Sequence, residues 1–424
     1  MARILLAISK GLKINGKFVA SGFMEQFIDS LVDNGNEIML YIPDLFQRKV
    51  FSGNNDLLSN IDAQGLKKDV KSFNPELVIT FNNTIFNDVV NIVDCPIIIW
   101  GADSESFWNS KDLIKQNVDR YLFFCFSEQE MKPRQELFGI KDNRIFLVKP
   151  ATNLKNLNLE KDKNISFIGT CFSASSKWLY FVDKNRGKSD LQKLINNFSN
   201  YFIEKNDILE AITDESLLKD FKRIDKSEYV SFFSGEKRIE TLFNISKLGL
   251  HIYGDDSWRV IKNLLPSLYA CVHKESLVTA KENEWCYNTS KICININHDQ
   301  SINGMNFRIC DILASGGCLV SSFSPFVKKQ FIGLEIPMYN NSYEAVELCN
   351  KYLKEDNLRE DFVLKSNEMI KQGWSFNTRL KEITEITGIN LINGKDDVKG
   401  QLTILQPHFK NFSLENLLLK LKKG

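Results

Sequence analysis

The chain has 424 residues, of which 43% are hydrophobic and 25% are charged, and its 54 basic and 53 acidic side chains leave a formal charge of +1. This composition excludes disordered, collagenous and fibrous proteins. Because the positive and negative charges nearly cancel, the chain has no global electrostatic field for binding nucleic acid. At about 100–200 residues per domain, the length indicates two domains or slightly more.

The first 150 residues repeat a strand–helix–strand pattern. Short apolar runs predict buried strands over 2–8, 37–42, 77–81, 96–100, 120–126 and 145–148. A helix is predicted from Ser21 to Asn34, and such βαβ units build parallel sheets. The loop 9–16 lacks the G-x-G-x-x-G spacing of dinucleotide-binding proteins and is interpreted as a flexible loop.

A second α/β domain follows a polar stretch, 149–164, which is interpreted as an interdomain linker. Residues 188–247 are expected to be mainly helical. Strands are predicted over 165–170, 249–253, 270–272, 292–296, 318–320 and 335–338, and helices over 343–355, 358–372 and 376–387. The predicted fold is α/β, with two Rossmann-like domains of parallel strands at 1–150 and 151–390. Ligands of such domains bind in the crevice beyond the strand ends.

The nine cysteines are odd in number and form no C-x-x-C pair. Most lie in apolar runs, which indicates free thiols in a reducing compartment and predicts no zinc site. The N-terminal apolar run is too short for a signal peptide, and no run reaches the ~18 residues of a membrane span. We therefore expect a cytoplasmic protein.

The segment 290–320 carries the most chemical information. It predicts a strand, a polar loop, a helix at about 305–315 and a double glycine before the next strand. Gly304 and Asn306 at the helix start would expose backbone N–H groups to a phosphate. Asp311 lies two turns further on, where a carboxylate suits the hydroxyls of a ribose. A surface ion pair between Arg308 and Asp311 is the alternative interpretation.

This segment resembles the nucleotide-sugar-binding segment of glycosyltransferases with two Rossmann-like domains, the GT-B architecture. It is most similar to the CgeB-like, or glycosyl transferases group 1 like, branch. The residues that carry the resemblance are Ser290, Lys291, Asn295, His298, Gly304, Arg308, Asp311, Leu313, Ala314, Gly316 and Gly317. The family usually has Glu where this chain has Asp311, so the ribose contact would be made by a shorter side chain.

Two further segments agree with that branch: 165–169 resembles the opening of its C-terminal domain, and 249–258 resembles a strand and turn near the nucleotide base. The resemblance implies a nucleotide-sugar site made of Gly169, Ser173, Ser176, Lys177, Tyr253, Gly254, Trp258, Asn303, Gly304, Met305, Asn306, Arg308 and Asp311, with His298 beside the phosphates as a catalytic residue. The structural alternatives are a packing role for Tyr253 and Trp258, a solvated Lys177 and a structural His298.

The N-terminal domain would hold the acceptor. Asp103 and Glu105 follow a buried strand, and Asp103 is the candidate general base, with a helix cap or a solvated carboxylate as the alternative. The tail 391–424 ends in an amphipathic basic helix at 412–424, which would pack on the body or on a second subunit, or contact an anionic membrane. The last helix before it could cross back to the N-terminal domain.

The sequence thus predicts a glycosyltransferase that moves a sugar from a nucleotide-sugar donor to a cell-surface glycan, lipid-linked or protein acceptor. No metal or other cofactor is expected, because helix N-termini and cationic side chains stabilise the departing diphosphate. A non-catalytic nucleotide-sugar-binding coat protein and a sugar-nucleotide epimerase on the same frame are the alternatives.

Overall fold

The structure, a computed structural model, describes residues 1–8, 11–14, 17–47, 53–172, 176–195, 212–224, 226–301, 304–393 and 399–410. Three of the features predicted above lie outside these ranges: Ser173, Asn303 and the tail helix 412–424.

Two parallel sheets form the framework of the described part of the chain. The seven strands of the N-terminal sheet, in spatial order, are Gln401–Ile404, Glu37–Tyr41, Arg3–Ala7, Leu77–Phe81, Ile97–Trp100, Tyr121–Cys125 and Ile145–Leu147. The five strands of the C-terminal sheet are Leu250–Tyr253, Lys163–Ile168, Ser290–Asn295, Cys318–Ser322 and Met338–Tyr339. Every neighbouring pair in both sheets runs parallel. The predicted α/β fold with two Rossmann-like domains is confirmed.

The N-terminal sheet is buried on both faces, as a parallel sheet requires. Along strand Arg3–Ala7, Ile4 and Leu6 enter one core, while Leu5 and Ala7 enter another. This alternation follows from the two-residue period of a strand. The helices before the C-terminal sheet are Gly22–Asp33, Ala63–Phe73, Val89–Ile92, Lys111–Gln116 and Glu128–Phe138.

The C-terminal sheet has a larger helical complement. Its helices are Ser176–Lys184, Glu215–Phe221, Lys226–Ile245, Pro266–Tyr269, Ala280–Thr289, Phe307–Ala314, Pro325–Gln330, Ser342–Lys354, Asp356–Lys371 and Phe376–Thr387. The last of these contributes Phe376, Leu380 and Ile383 to the core of the N-terminal domain, so it packs on that domain. No described helix combines the length and apolar character that a membrane span requires.

Several predicted elements differ in the structure. The loop 9–16 contains part of an antiparallel hairpin, Gly11–Ile14 paired with Lys17–Ala20. The tail contributes Gln401–Ile404 to the edge of the N-terminal sheet, paired with Glu37–Tyr41. Extended pairing of a distant segment leaves no local pattern beyond a short alternation, which explains why the strand was not predicted.

The prediction of a strand over 270–272 is wrong. The backbone N–H groups of Cys271 and Val272 donate back to Leu268 and Tyr269 in the turn after a short helix, which leaves a single bridge to Ile252. The strand predicted over 335–338 begins only at Met338, because Pro337 has no N–H to donate to a sheet.

The linker is ordered and tightly attached. Ala151 and Thr152 are buried, and the backbone N–H of Thr152 donates to the carbonyl of Trp374 at 2.8 Å. The buried Asn288 receives the N–H of Leu157 and donates to the carbonyl of Lys155. The linker between the two domains is therefore held in place along its length by hydrogen bonds.

Candidate functional site

The loops that face the cleft follow the carboxyl ends of the strands of the C-terminal sheet. Gly169 follows Lys163–Ile168, Gly254 follows Leu250–Tyr253, and 296–301 follows Ser290–Asn295. Because these strands are parallel and adjacent, the three loops meet at one edge of the sheet.

A tight contact joins the first two loops. The indole of Trp258 is 1% exposed and donates from Nε1 to the carbonyl of Gly169 at 2.8 Å. A side chain at Gly254 would collide with this indole and with the same carbonyl. Tyr253 is also buried, and its ring stacks on that of His273 at 4.3 Å. Trp258 and Tyr253 are both packed against neighbouring residues, and Trp258 also lines the cavity beside this contact, whereas Tyr253 does not.

A cavity of about 590 Å³ opens beside this contact. It is lined by Gly254, His273, Lys274 and Ser276 among others, and the Ser276 hydroxyl donates to the Gly254 carbonyl at 2.6 Å. The cavity therefore lies at the strand ends, next to the loop that carries Gly169.

A buried arginine, which the sequence analysis did not identify, lies on the other side of Gly169. Arg238, on helix Lys226–Ile245, is 4% exposed and donates to the Thr170 carbonyl at 2.6 Å. Its guanidinium carbon lies 4.2 Å from the centre of the Phe172 ring. Burial, reinforced by the neighbouring Arg308, lowers the pKa of Arg238 to about 9.

Arg308 completes a pair of cations. Its Nη1 donates to Asn295 Oδ1 at 3.0 Å, and a Cβ at Gly169 would lie 3.3 Å from its Nη2. Among the described residues, neither Arg238 nor Arg308 forms an ion pair with a carboxylate. Two guanidinium groups without such a partner give this edge of the sheet an uncompensated positive charge, which is suited to an anion.

The start of helix Phe307–Ala314 lies beside these arginines. Asn306 caps it, since the side-chain oxygen accepts from the Ile309 N–H at 3.2 Å while Nδ2 donates to Asn295. Helix N-termini attract anions. Gly304 accepts from Ser324 through its carbonyl, and Met305 is buried in the core. The structure thus brings Gly169, Asn306 and Arg308 together.

His298 is held as a neutral imidazole. Its Nδ1 accepts from the backbone N–H of Gln300 at 3.1 Å, and its ring meets the Phe172 ring edge-on at 4.4 Å. Burial, together with Arg238 and Lys237, lowers the pKa of His298 to about 3. Because Nδ1 is already accepting, the proton lies on Nε2, and His298 is suited to donate a hydrogen bond from that atom.

Lys237, next to Arg238, has its charge neutralised within the protein. Its Nζ lies 2.5 Å from the buried carboxylate of Asp299, whose backbone N–H donates to Ser234. Lys177, predicted as a phosphate ligand, is mostly exposed and forms an ion pair with Glu228 at 3.3 Å. Ser176 begins its helix.

The opposite wall of the cleft presents Asp103 from the N-terminal domain. Asn82 holds it twice, donating from Nδ2 to Asp103 Oδ2 at 2.6 Å and accepting the Asp103 N–H at 3.0 Å. Gln300 Nε2 donates to the other carboxylate oxygen at 2.9 Å. Glu105, the alternative carboxylate, is instead paired at 2.6 Å with the buried Arg134. The structure therefore places Asp103 and His298 around one residue, Gln300.

Asp311 lies apart from this group, in the contact between the domains. It is 5% exposed, and its Oδ1 accepts from Thr152 at 2.6 Å and from Gln26 at 3.2 Å. Burial raises the pKa of Asp311 to about 6. The alternative of a surface ion pair with Arg308 is wrong, because the carboxylate is buried. The ribose contact stays a prediction, to which these internal bonds give no support.

The signal for Arg238 was present in the sequence. Helix Lys226–Ile245 buries Val230, Ser234 and Leu242, and these positions recur every four residues with Arg238 among them. An arginine on the buried face of a helix requires partners for its charge and its N–H groups, which makes it a residue to examine. Asn82 and Gln300 carried no comparable signal. Within the described ranges, no three His, Cys, Asp or Glu residues are grouped as a metal site.

Comparison with known proteins gives one family match and several similar folds. Residues 236–385 match a family model described as glycosyl transferase-like, whereas a search of curated protein sequences found no match. Sucrose-phosphate synthase from Thermosynechococcus elongatus is similar in structure, with a TM-score of 0.52 at 10% identity, over 91% of this chain and 98% of that one. An alpha-glucosyltransferase solved with UDP and a 13-mer DNA has a TM-score of 0.52 at 11% identity, over 92% and 100%.

TarM from S. aureus, solved with UDP among its ligands, has a TM-score of 0.46 at 10% identity over 76% of this chain. This chain spans only 58% of TarM. The two structures with TM-scores of 0.52 establish the fold. The family match covers the segment that supplies Arg238, His298 and Arg308. Residues 236–385 are thus similar to the glycosyl transferase-like family, and the chain has the GT-B fold of two-domain glycosyltransferases.

Proposed function

We propose that this protein transfers a sugar from a nucleotide-sugar donor to a hydroxyl group of an acceptor in the cleft between the two sheets. The observation that carries the proposal is the pair of guanidinium groups, Arg238 and Arg308, at the strand ends of the C-terminal sheet. A buried cation without an anion costs several kcal/mol, about 3–5 by comparison with broken buried ion pairs, so the site is suited to a ligand that supplies the anion.

The diphosphate of the donor is the anion that fits this proposal. Arg238, Arg308 and the start of helix Phe307–Ala314 would balance its charge, and His298 would donate from Nε2. The same groups would stabilise the nucleoside diphosphate as it leaves, when its negative charge increases. The proposal therefore includes no metal ion. The base would enter the cavity of about 590 Å³ beside Gly254.

Asp103 is the proposed general base. An inverting transfer needs a carboxylate or a histidine within hydrogen-bond reach of the acceptor hydroxyl, and Asp103 is a carboxylate of the N-terminal domain that contacts the loop 296–301 through Gln300. Cell-surface glycans, lipid-linked saccharides and glycoproteins are the acceptor classes to test. The alpha-glucosyltransferase of similar fold is solved with DNA, so a DNA oligonucleotide is a useful additional probe.

Nucleotide binding tests the donor half of the proposal. Thermal shift and calorimetry against UDP, GDP, CDP, CMP and TDP should show selective stabilisation by one nucleotide, and EDTA should leave it unchanged. Arg238→Met should abolish it. The control is Arg359→Met, since Arg359 is also buried but donates to Tyr352 away from these loops. If none of the nucleotides stabilises the protein, the proposal fails.

Turnover separates transfer from the alternatives. Release of nucleoside diphosphate from a sugar donor, increased by acceptor and retained in EDTA, would establish a metal-independent transferase. Binding without release would favour a structural role. Conversion of one nucleotide sugar into another without release would favour an epimerase.

A further inference from the structure

Gln300 links the two walls of the cleft. Its side-chain amide donates from Nε2 to Asp103 Oδ1 at 2.9 Å, and its backbone N–H donates to His298 Nδ1 at 3.1 Å. Asp103 belongs to a loop of the N-terminal sheet, whereas His298 follows a strand of the C-terminal sheet. One residue thus contacts the candidate catalytic group of each domain.

Gln300 is itself firmly held. It lies in the short turn Asp299–Ser301, which is anchored to helix Lys226–Ile245. The backbone N–H of Asp299 donates to Ser234 at 2.9 Å, and the Asp299 carboxylate pairs with Lys237. The amide that reaches across the cleft therefore starts from a fixed backbone and not from a loose loop.

The contact depends on the closed cleft. Asp103 is fixed from its own side by Asn82 on Oδ2, and among the residues that the structure describes Gln300 is the one that bonds its carboxylate from the C-terminal domain, at Oδ1. A rotation that separated the two sheets would break the Gln300 bond and leave the Asn82 bonds intact. A base aligned in this way is available only when donor and acceptor sites face each other.

We infer that Gln300 is a positioning residue, which aligns the Asp103 carboxylate and the His298 imidazole when the cleft closes. The inference rests on the proposed function, in which these two groups act on acceptor and donor. The inference adds that the chemical step depends on domain closure through the side-chain amide of Gln300.

Two variants of Gln300 test the inference. Gln300→Ala removes the donor. Gln300→Glu replaces the amide with a carboxylate of the same shape, which faces Asp103 and can donate only when it is protonated. Gln116→Glu, the same change at an exposed helix end, is the control. The donor probes are UDP-glucose, UDP-N-acetylglucosamine and GDP-mannose, and nucleotide release is measured.

For Gln300→Ala we expect kcat to fall about 10- to 100-fold, as for a misplaced catalytic group, while KM for the donor changes little. For Gln300→Glu the loss should be largest at pH 8 and should diminish towards pH 5, a profile that wild type and Gln116→Glu lack. Wild-type kcat in both variants, or an equal loss in Gln300→Glu at every pH, would overturn the inference.

Domain closure gives a readout that needs no turnover. Small-angle X-ray scattering should show a larger radius of gyration for Gln300→Glu at pH 8 than at pH 5, because two facing carboxylates repel each other across the cleft. If the scattering of Gln300→Glu does not change with pH and is identical to that of wild type, the inference is refuted. Failure of every donor probe with wild type, combined with this expansion, would reject the proposed function and retain the closure contact.

Discussion

Replacing Asp311 with Asn separates a structural role from a ligand-binding role at the contact between the domains. The carboxylate is buried and receives the Thr152 hydroxyl at 2.6 Å and the Gln26 amide at 3.2 Å. Asn has the same shape, and its oxygen can accept the same Thr152 bond. The substitution removes the negative charge with little change in volume.

The magnitude follows from the raised pKa. Burial raises the pKa of Asp311 from 3.8 to about 6, so the folded protein binds a proton there that the unfolded chain has lost. Between these two values the free energy of unfolding of wild type falls as pH rises, and above about pH 7 the ionised group costs about 3 kcal/mol relative to pH below 4. Asn cannot ionise and has no such loss.

Urea denaturation of both proteins at pH 4.5, 6 and 7.5 measures this effect. The free energy of unfolding of Asp311→Asn minus that of wild type should increase with pH through this window and level off above it. Asp33→Asn, at an exposed site, is the control. A difference that is constant with pH would refute the reasoning that burial raises the pKa.

The same variant tests the predicted ribose contact. Because the carboxylate is already bonded to Thr152 and Gln26, we expect Asp311→Asn to keep the stabilisation by nucleotide that wild type shows. Loss of that stabilisation, with folding intact, would instead establish Asp311 as a ligand of the ribose.

Three further substitutions test the site. Gly254→Ala should destabilise the protein by about 1–3 kcal/mol in urea denaturation, because a Cβ would collide with the Trp258 indole; full stability would contradict the tight contact. Lys237→Met should leave the buried Asp299 without its cation and lower the free energy of unfolding by about 3 kcal/mol, and restoration by a second change, Asp299→Asn, would identify the cause. Asn82→Ala should reduce kcat about 10-fold with donor binding unchanged, because the Asp103 carboxylate loses the bond from Asn82 Nδ2 and the Asp103 backbone N–H loses its acceptor; an unchanged kcat would remove Asn82 from the mechanism.

Most of the strands could be predicted from the sequence because they are short apolar runs bounded by polar turns. Leu77–Phe81 and the helix Phe376–Thr387 have the bounds that the pattern predicts. The strand Gln401–Ile404 could not be predicted, since it is mostly exposed and its pairing depends on the distant Glu37–Tyr41. The predicted strand 270–272 failed because the turn that follows Tyr269 uses its N–H groups.

The site was predictable only in part. The motif around 290–320 located His298 and Arg308, and the βαβ pattern located the loop of Asp103. The partners of these residues come from distant segments: Asn82 precedes Asp103 by a short helix and a strand, and two helices and two strands separate the helix of Arg238 from His298. Contacts between such distant segments are produced by the tertiary fold, and the residue spacing within one segment does not predict them.

Three side chains at or near the cleft violate the rules by which a stable core is built. Arg238 is a buried cation, Asp311 a buried acid with a raised pKa, and His298 an imidazole whose pKa burial lowers to about 3. Each of these costs folding free energy, and local departures of this kind concentrate at functional sites. Their nature also constrains the ligand. Asp311 is satisfied by Thr152 and Gln26, so the unmet requirement is the charge of Arg238 and its neighbour, and an anion at the strand ends is what would satisfy it.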